Sequence, residues 1–261
     1  MGVSKRTRQK ELKKNIIAML IIVAFAFTVF SINSIGKFIA EKIIKPVPDF
    51  SGIKSENVST ENLKTTKLEI YLVSALEVDS LEEAQKASDE IKSQGGSGYI
   101  FEMDKKFNVL HSVKTNKDSA KEVASSLSSG TVMTLTLDEL SIKITGTKKQ
   151  TDTISACFNL MTDNSKDLIL YLEQLESGEI TSLQASTKLN AMESKLEEDL
   201  KLLGDLNSSN ITVKALTDML SISKTLIAEM PDSDQSNFLQ KFKYTACAYV
   251  CEYFKFYGEL E

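Results

Sequence analysis

At 261 residues, 42% hydrophobic and 26% charged, the chain is long enough for one large domain or two small ones with a packed core. Its formal charge of −5 is unevenly spread: Lys5, Arg6, Arg8, Lys10, Lys13 and Lys14 against Glu11 give residues 1–14 a local +5, leaving −10 for the rest. An acidic body argues against nucleic acid as a partner, and three cysteines (Cys157, Cys247, Cys251) do not make a disulfide framework.

The basic head, residues 1–14, runs into "NIIAMLIIVAFAFTVFSINSI", which holds no charge from Ile16 to Ile32. With its flanks that run matches a bilayer core of about 30 Å. A buried core helix would carry a polar stripe, and a cleaved signal peptide would be followed by a small-x-small site; neither is present. The expectation is a single transmembrane helix over 15–36. Its basic side stays in the cytoplasm and the later domains lie outside, which places the protein in the cell membrane. Residues 37–66 follow as a linker, with Pro46, Pro48 and many Ser, Thr and Asn.

From Lys67 the pattern changes. "KLEIYLVSALEV" has the β-branched and aromatic content of a strand. "DSLEEAQKASDEIKSQGG" reads as a helix with Ser80 as N-cap, Glu83 three residues on, and Gly95-Gly96 as the stop. "GYIFEM" and "FNVLHSV" are two strands around a polar turn, Asp104-Lys105-Lys106. "NKDSAKEVASSLSSG" is a second helix capped by Asn116 and stopped by Gly130, and "TVMTLTL" a fourth strand. The order is βαββαβ over 67–145. The two halves echo one another: Tyr71, Val73 and Ala84 recur 36 positions later as Phe107, Val109 and Ala120. Val73 and Val109 are expected to face the two helices. The alternate set, Leu68, Ile70, Leu72, Ser74 and Leu76, then lies on the other sheet face with Asn108, Leu110 and Ser112. An aliphatic face left in water marks a contact surface, so the C-terminal helices are expected to cover it.

Beyond residue 150 apolar residues recur at spacings of three and four: Ile154 to Leu175, Leu189 to Leu206, Leu216 to Ile227, and Phe238 onward after Pro231. Short breaks between them predict an antiparallel helical bundle over 150–261. The expected fold class is α+β: an N-terminal single transmembrane helix, a linker, a βαββαβ domain and the bundle.

No P-loop, Gly-x-Ser-x-Gly, His-Glu-x-x-His or framed pair of carboxylates is present, so neither catalysis nor a cofactor is expected. Cys247 and Cys251 share a helix face and, with one distant His111, make a poor metal site; they read as small buried hydrophobes. His111 reads as a hydrogen-bonded structural histidine rather than a proton-transfer group.

The run "YLVSALEVDSLEEAQKASDEIKSQG" followed by "KFNVLHSVKTNKDSAKEVASSL" resembles the SPOR domain, the sporulation-related repeat, over roughly residues 66–140. The order of basic head, anchor, linker and this domain is similar to the layout of many SPOR proteins. The family's first strand commonly reads Val-Gln-x-Gly-(Ser/Ala)-Phe; here Ser74, Leu76 and Val78 stand at the Gln, first Gly and Phe positions. Asn108 follows Phe107 where the family has Arg, and Ser112-Val113 stands at its glycine pair. The resemblance implies a non-catalytic, membrane-anchored protein of an endospore-forming bacterium. Such a protein binds septal peptidoglycan glycan strands during septum formation, engulfment or cell division, with septal or sporulation membrane proteins as further partners. Alignment and sheet parity make Ser74, Asn108 and Ser112 the glycan-binding candidates. The alternative is an extracytoplasmic protein-interaction scaffold whose degenerate SPOR fold no longer binds glycan.

Overall fold

The computed structural model describes residues 58–206 and 211–258. In chain order these form β1 (Val58–Lys64), β2 (Leu68–Val78), α1 (Leu81–Ser93), β3 (Tyr99–Met103), β4 (Lys106–Lys114), α2 (Lys117–Ser125), β5 (Thr131–Leu137), β6 (Ser141–Thr147), α3 (Lys148–Glu176), α4 (Ser182–Gly204), α5 (Ile211–Ala228) and α6 (Phe238–Gly258). Strands β3-β4-β2-β5 make an antiparallel sheet in that order, and β1 pairs with β6 in a second sheet.

The helix starts follow from local chemistry. Ser80 Oγ accepts from the Glu83 amide, and Asn116 Oδ1 accepts from the amides of Asp118 and Ser119. Thr147 with Gln150 and Thr181 with Gln184 form capping boxes that open α3 and α4. At the end of α1, Gly95 takes φ +82°, and a Cβ on Gly96 would lie 2.5 Å from Ile91 Cγ2 and 2.9 Å from His111 Cδ2. The glycine pair is therefore required both for the turn and for close packing on β4.

The expected fold class needs correction in three places. The segment read as the end of the 37–66 linker contains β1, whose Val58 to Lys64 lie opposite Thr147 to Ser141 of β6. Its Ser, Thr, Glu and Asn side chains are exposed and only Leu63 is buried, so it has no apolar alternation to announce a strand; its partner strand and α3 hold it in place. The sheet region accordingly has six strands rather than four. Finally, none of the six described helices is long and apolar enough to cross a membrane. The span expected over 15–36 lies outside the described residues, as do the basic head and residues 37–57. The fold class is α+β with two small sheets and six helices, without a membrane-crossing helix among the described residues.

The two sheets are continuous in register. Lys64 faces Ser141 and Leu68 faces Leu137, so the three-residue gaps on each side leave the pairing in step. The joint is closed by polar groups. The Thr65 amide donates to Leu140 O at 3.0 Å, and the Leu140 amide donates to Thr65 Oγ1 at 2.9 Å. The Tyr257 hydroxyl of α6 donates to Asp138 O and meets the Thr65 hydroxyl.

One face of the main sheet carries α1 and α2. Tyr71 and Val73 pack there with Ala120 and Ala124, joined by Val123, Leu127 and Val132. The strands are nevertheless buried on both faces. Every residue from Ile70 to Ala75 is buried, as are Asn108 to Leu110 and Ser112 to Lys114. In an alternating strand, consecutive burial requires a second cover. That cover is α6, which contacts β3, β4 and β5 on one side and α3 and α5 on the other.

The β3–β4 hairpin turns through Asp104 (φ 53°) and Lys105 (φ 64°), both left-handed without glycine. Lys105→Gly should relieve that strain and stabilise the fold by about 0.5–1 kcal/mol, read as a higher urea midpoint at unchanged m-value.

Candidate functional site at the sheet–bundle junction

The three residues proposed from sequence lie inside the protein. Ser74 and Ser112 are 0% exposed and Asn108 is 2% exposed. Ser74 Oγ donates to Leu76 O at 3.1 Å. Asn108 lies opposite Phe101, and Leu110 opposite Tyr99. Residues directly opposite share a face, and the two β3 rings meet α6: Tyr99 packs on Tyr244 with centroids 5.5 Å apart, and Phe101 on Phe254 at 6.3 Å. The face that would offer Asn108 to a ligand is thus occupied by α6. The three residues do not converge on an open surface.

What the fold does bring together is a corner that sequence gave no means of finding. Lys114 at the end of β4, Glu176 at the end of α3 and Lys243 on α6 have side chains only 9%, 21% and 11% exposed. Lys114 Nζ donates to Glu176 Oε2, and Lys243 Nζ lies 3.1 Å from Glu176 Oε1. Lys243 also donates to Gly95 O at 3.0 Å, and Gln240 Nε2 to Gly96 O at 3.4 Å and Ser97 O at 3.3 Å, so α6 grips the loop after α1. Glu173, one turn before Glu176, accepts from the amide and the hydroxyl of Thr115 at 3.0 Å each.

His111 belongs to the same corner. The register of β2 against β4 shifts on both sides of Ser74, leaving Ala75 and His111 without a partner across that ladder. Such irregularities re-aim neighbouring side chains. His111 Nδ1 and Ser112 Oγ are buried with no hydrogen-bond partner among the described residues. Burial, then the positive charges of Lys243 and Lys114, pull the His111 imidazole below its ordinary 6.5 against an opposing pull from Glu176. Burial alone would raise the Glu176 carboxyl, but its bonds and charge interactions with Lys114 and Lys243 outweigh this and hold it below 4.5.

The thiols are poor nucleophiles. Burial pushes Cys157 and Cys247 up to about 12, and Cys251 rises too. Among the described residues no cluster of three or more His, Cys, Asp or Glu is placed to hold a metal ion.

Two ammonium groups around one carboxylate make a junction that tolerates loss of the whole set better than loss of the centre. Glu176→Gln should destabilise by about 3 kcal/mol. Lys114→Met, Glu176→Leu and Lys243→Met combined should cost much less, measured by urea unfolding. Against known proteins, the chain matches no family model, no curated protein and no solved structure.

Proposed function

We propose that the chain is a non-catalytic interaction scaffold in which a SPOR-like sheet is closed over by the chain's own helices and no longer presents a glycan platform. The observation that carries this reading is the burial of Ser74, Asn108 and Ser112, with α6 seated on the sheet face that Asn108 shares with Phe101 and Ser112 turned with Val73 toward α2. Glycan recognition needs exposed donors and stacking rings. Here the rings of Tyr99 and Phe101 are spent on Tyr244 and Phe254 of the same chain. Binding a sugar strand through that face would require α6 to leave, exposing the apolar surface it now covers.

The recognition surface of such a scaffold is its exterior, and septal or sporulation membrane proteins remain the partner class that the SPOR resemblance implies. Pelleting of the full chain with peptidoglycan, before and after an amidase has stripped the stem peptides, tests the reading. Equal and low co-sedimentation with both wall preparations is expected. Selective pelleting with the stripped wall would overturn the scaffold reading in favour of glycan binding.

A further inference from the structure

His111, Lys114, Glu176 and Lys243 form one corner where β4, α3 and α6 meet. Its single shared carboxylate sits between two nearly buried ammonium groups drawn from a strand and a helix that no short connection links. The charged groups facing His111 are Lys114 on its own strand, Glu176 on α3 and Lys243 on α6. Glu176 in turn faces Lys114 and Lys243, with Glu173 on its own helix tied to Thr115. His111 Nδ1 has no acceptor among the described residues, so a proton arriving there places a third cation beside the two lysines. A proton on Glu176 removes the counterion instead. Both events leave buried positive charge unpaired at the same seam, where the cost of an unpaired charge is large.

We propose that this corner is an acid-sensitive latch: a proton taken up by His111 sets a third cation beside Lys114 and Lys243 and loosens α6 from the sheet, and a proton on Glu176 under stronger acid removes their counterion and completes the release. The proposal rests on the reading that α6 covers the sheet at neutral pH. The sign follows from the two groups. His111 is held below its ordinary 6.5 in the docked state, so docking is favoured above 6.5 and weakens as pH falls through that region. Glu176 is held below 4.5, so its share persists above 4.5 and is lost under stronger acid.

The cysteines report the event. Cys247 lies near Ser97 in the loop before β3, and Cys251 near Tyr99, so both thiols sit in the seam. Cys157 on α3 lies near Asp199 of α4, within the bundle. The full chain is pulsed with a dipyridyl disulfide, which stays reactive in acid, at pH 7.5 and 5.0, and each cysteine is then mapped. Labelling of Cys247 and Cys251 should rise severalfold at pH 5.0, the direction that proton uptake on release requires, while Cys157 stays protected. Thiol ionisation alone runs the other way. His111→Gln should abolish the rise, and Glu176→Gln should give fast labelling of both seam thiols already at pH 7.5. The latch is overturned if Cys247 and Cys251 are equally protected at both pH values, which would leave the covered sheet intact as a reading. It is also overturned if they open together with Cys157, or if His111→Gln retains the acid response. Free labelling of both seam thiols in the unaltered chain at pH 7.5 would overturn the covered sheet itself and the latch with it.

Discussion

Strands β2 and β4 are buried on both sides, and a sheet built that way must be covered twice. The first cover is local: α1 and α2 follow their strands in sequence and set Ala120 and Ala124 against Tyr71 and Val73. The second comes from the far end of the chain, where α6 lies between the sheet and helices α3 and α5. Phe238, Phe242, Tyr249, Tyr253, Phe256 and Tyr257 are buried along it. Phe256 packs on Phe158 of α3 at 5.9 Å, and the Tyr253 hydroxyl meets Thr162 at 2.8 Å. A helix apolar nearly all round is what a position between two layers requires.

The polar groups at this interface set its registry more than its strength. Tyr257 reaches Thr65 and Asp138 at the joint of the two sheets, while Gln240 and Lys243 bond the loop after α1. These contacts lie toward opposite ends of α6 and fix its direction and axial position. Glu176 joins the two systems by binding Lys114 of the sheet and Lys243 of the bundle. An arrangement of this kind contributes little net stability over an apolar one, but tolerates no missing member. The same property makes it responsive to protons.

Much of the sheet domain was legible because its signals are local. Ser80, Asn116 and the Gly95-Gly96 pair announce helix ends through atoms only a few residues away, and the aliphatic residues of β2 already called for a second cover. The four helical stretches beyond residue 150 were likewise readable from apolar spacing. Strand β1 was not, because seven residues with one buried leucine look like a linker until β6 is known to lie beside them. Thr147 and Gln150 would have marked the start of α3, and with it the end of an unrecognised strand. The junction was beyond reach in another sense: Lys114 and Glu176 are 62 residues apart, and nothing in either neighbourhood distinguishes them from solvated charges. Ser74, Asn108 and Ser112 were chosen by strand parity, which says nothing of what covers a face and which the irregularity around Ser74 and His111 breaks, turning Ser112 to the side of Val73.

Everything above depends on α6 occupying the sheet face opposite α1 and α2 in the folded protein. Nuclear Overhauser contacts between selectively labelled aromatic rings in the full chain test it most directly at neutral pH. Cross-peaks are expected between Tyr99 and Tyr244 and between Phe101 and Phe254, whose centroids lie 5.5 and 6.3 Å apart. Absence of both, with the Tyr99 and Phe101 rings showing contact with water instead, would contradict it.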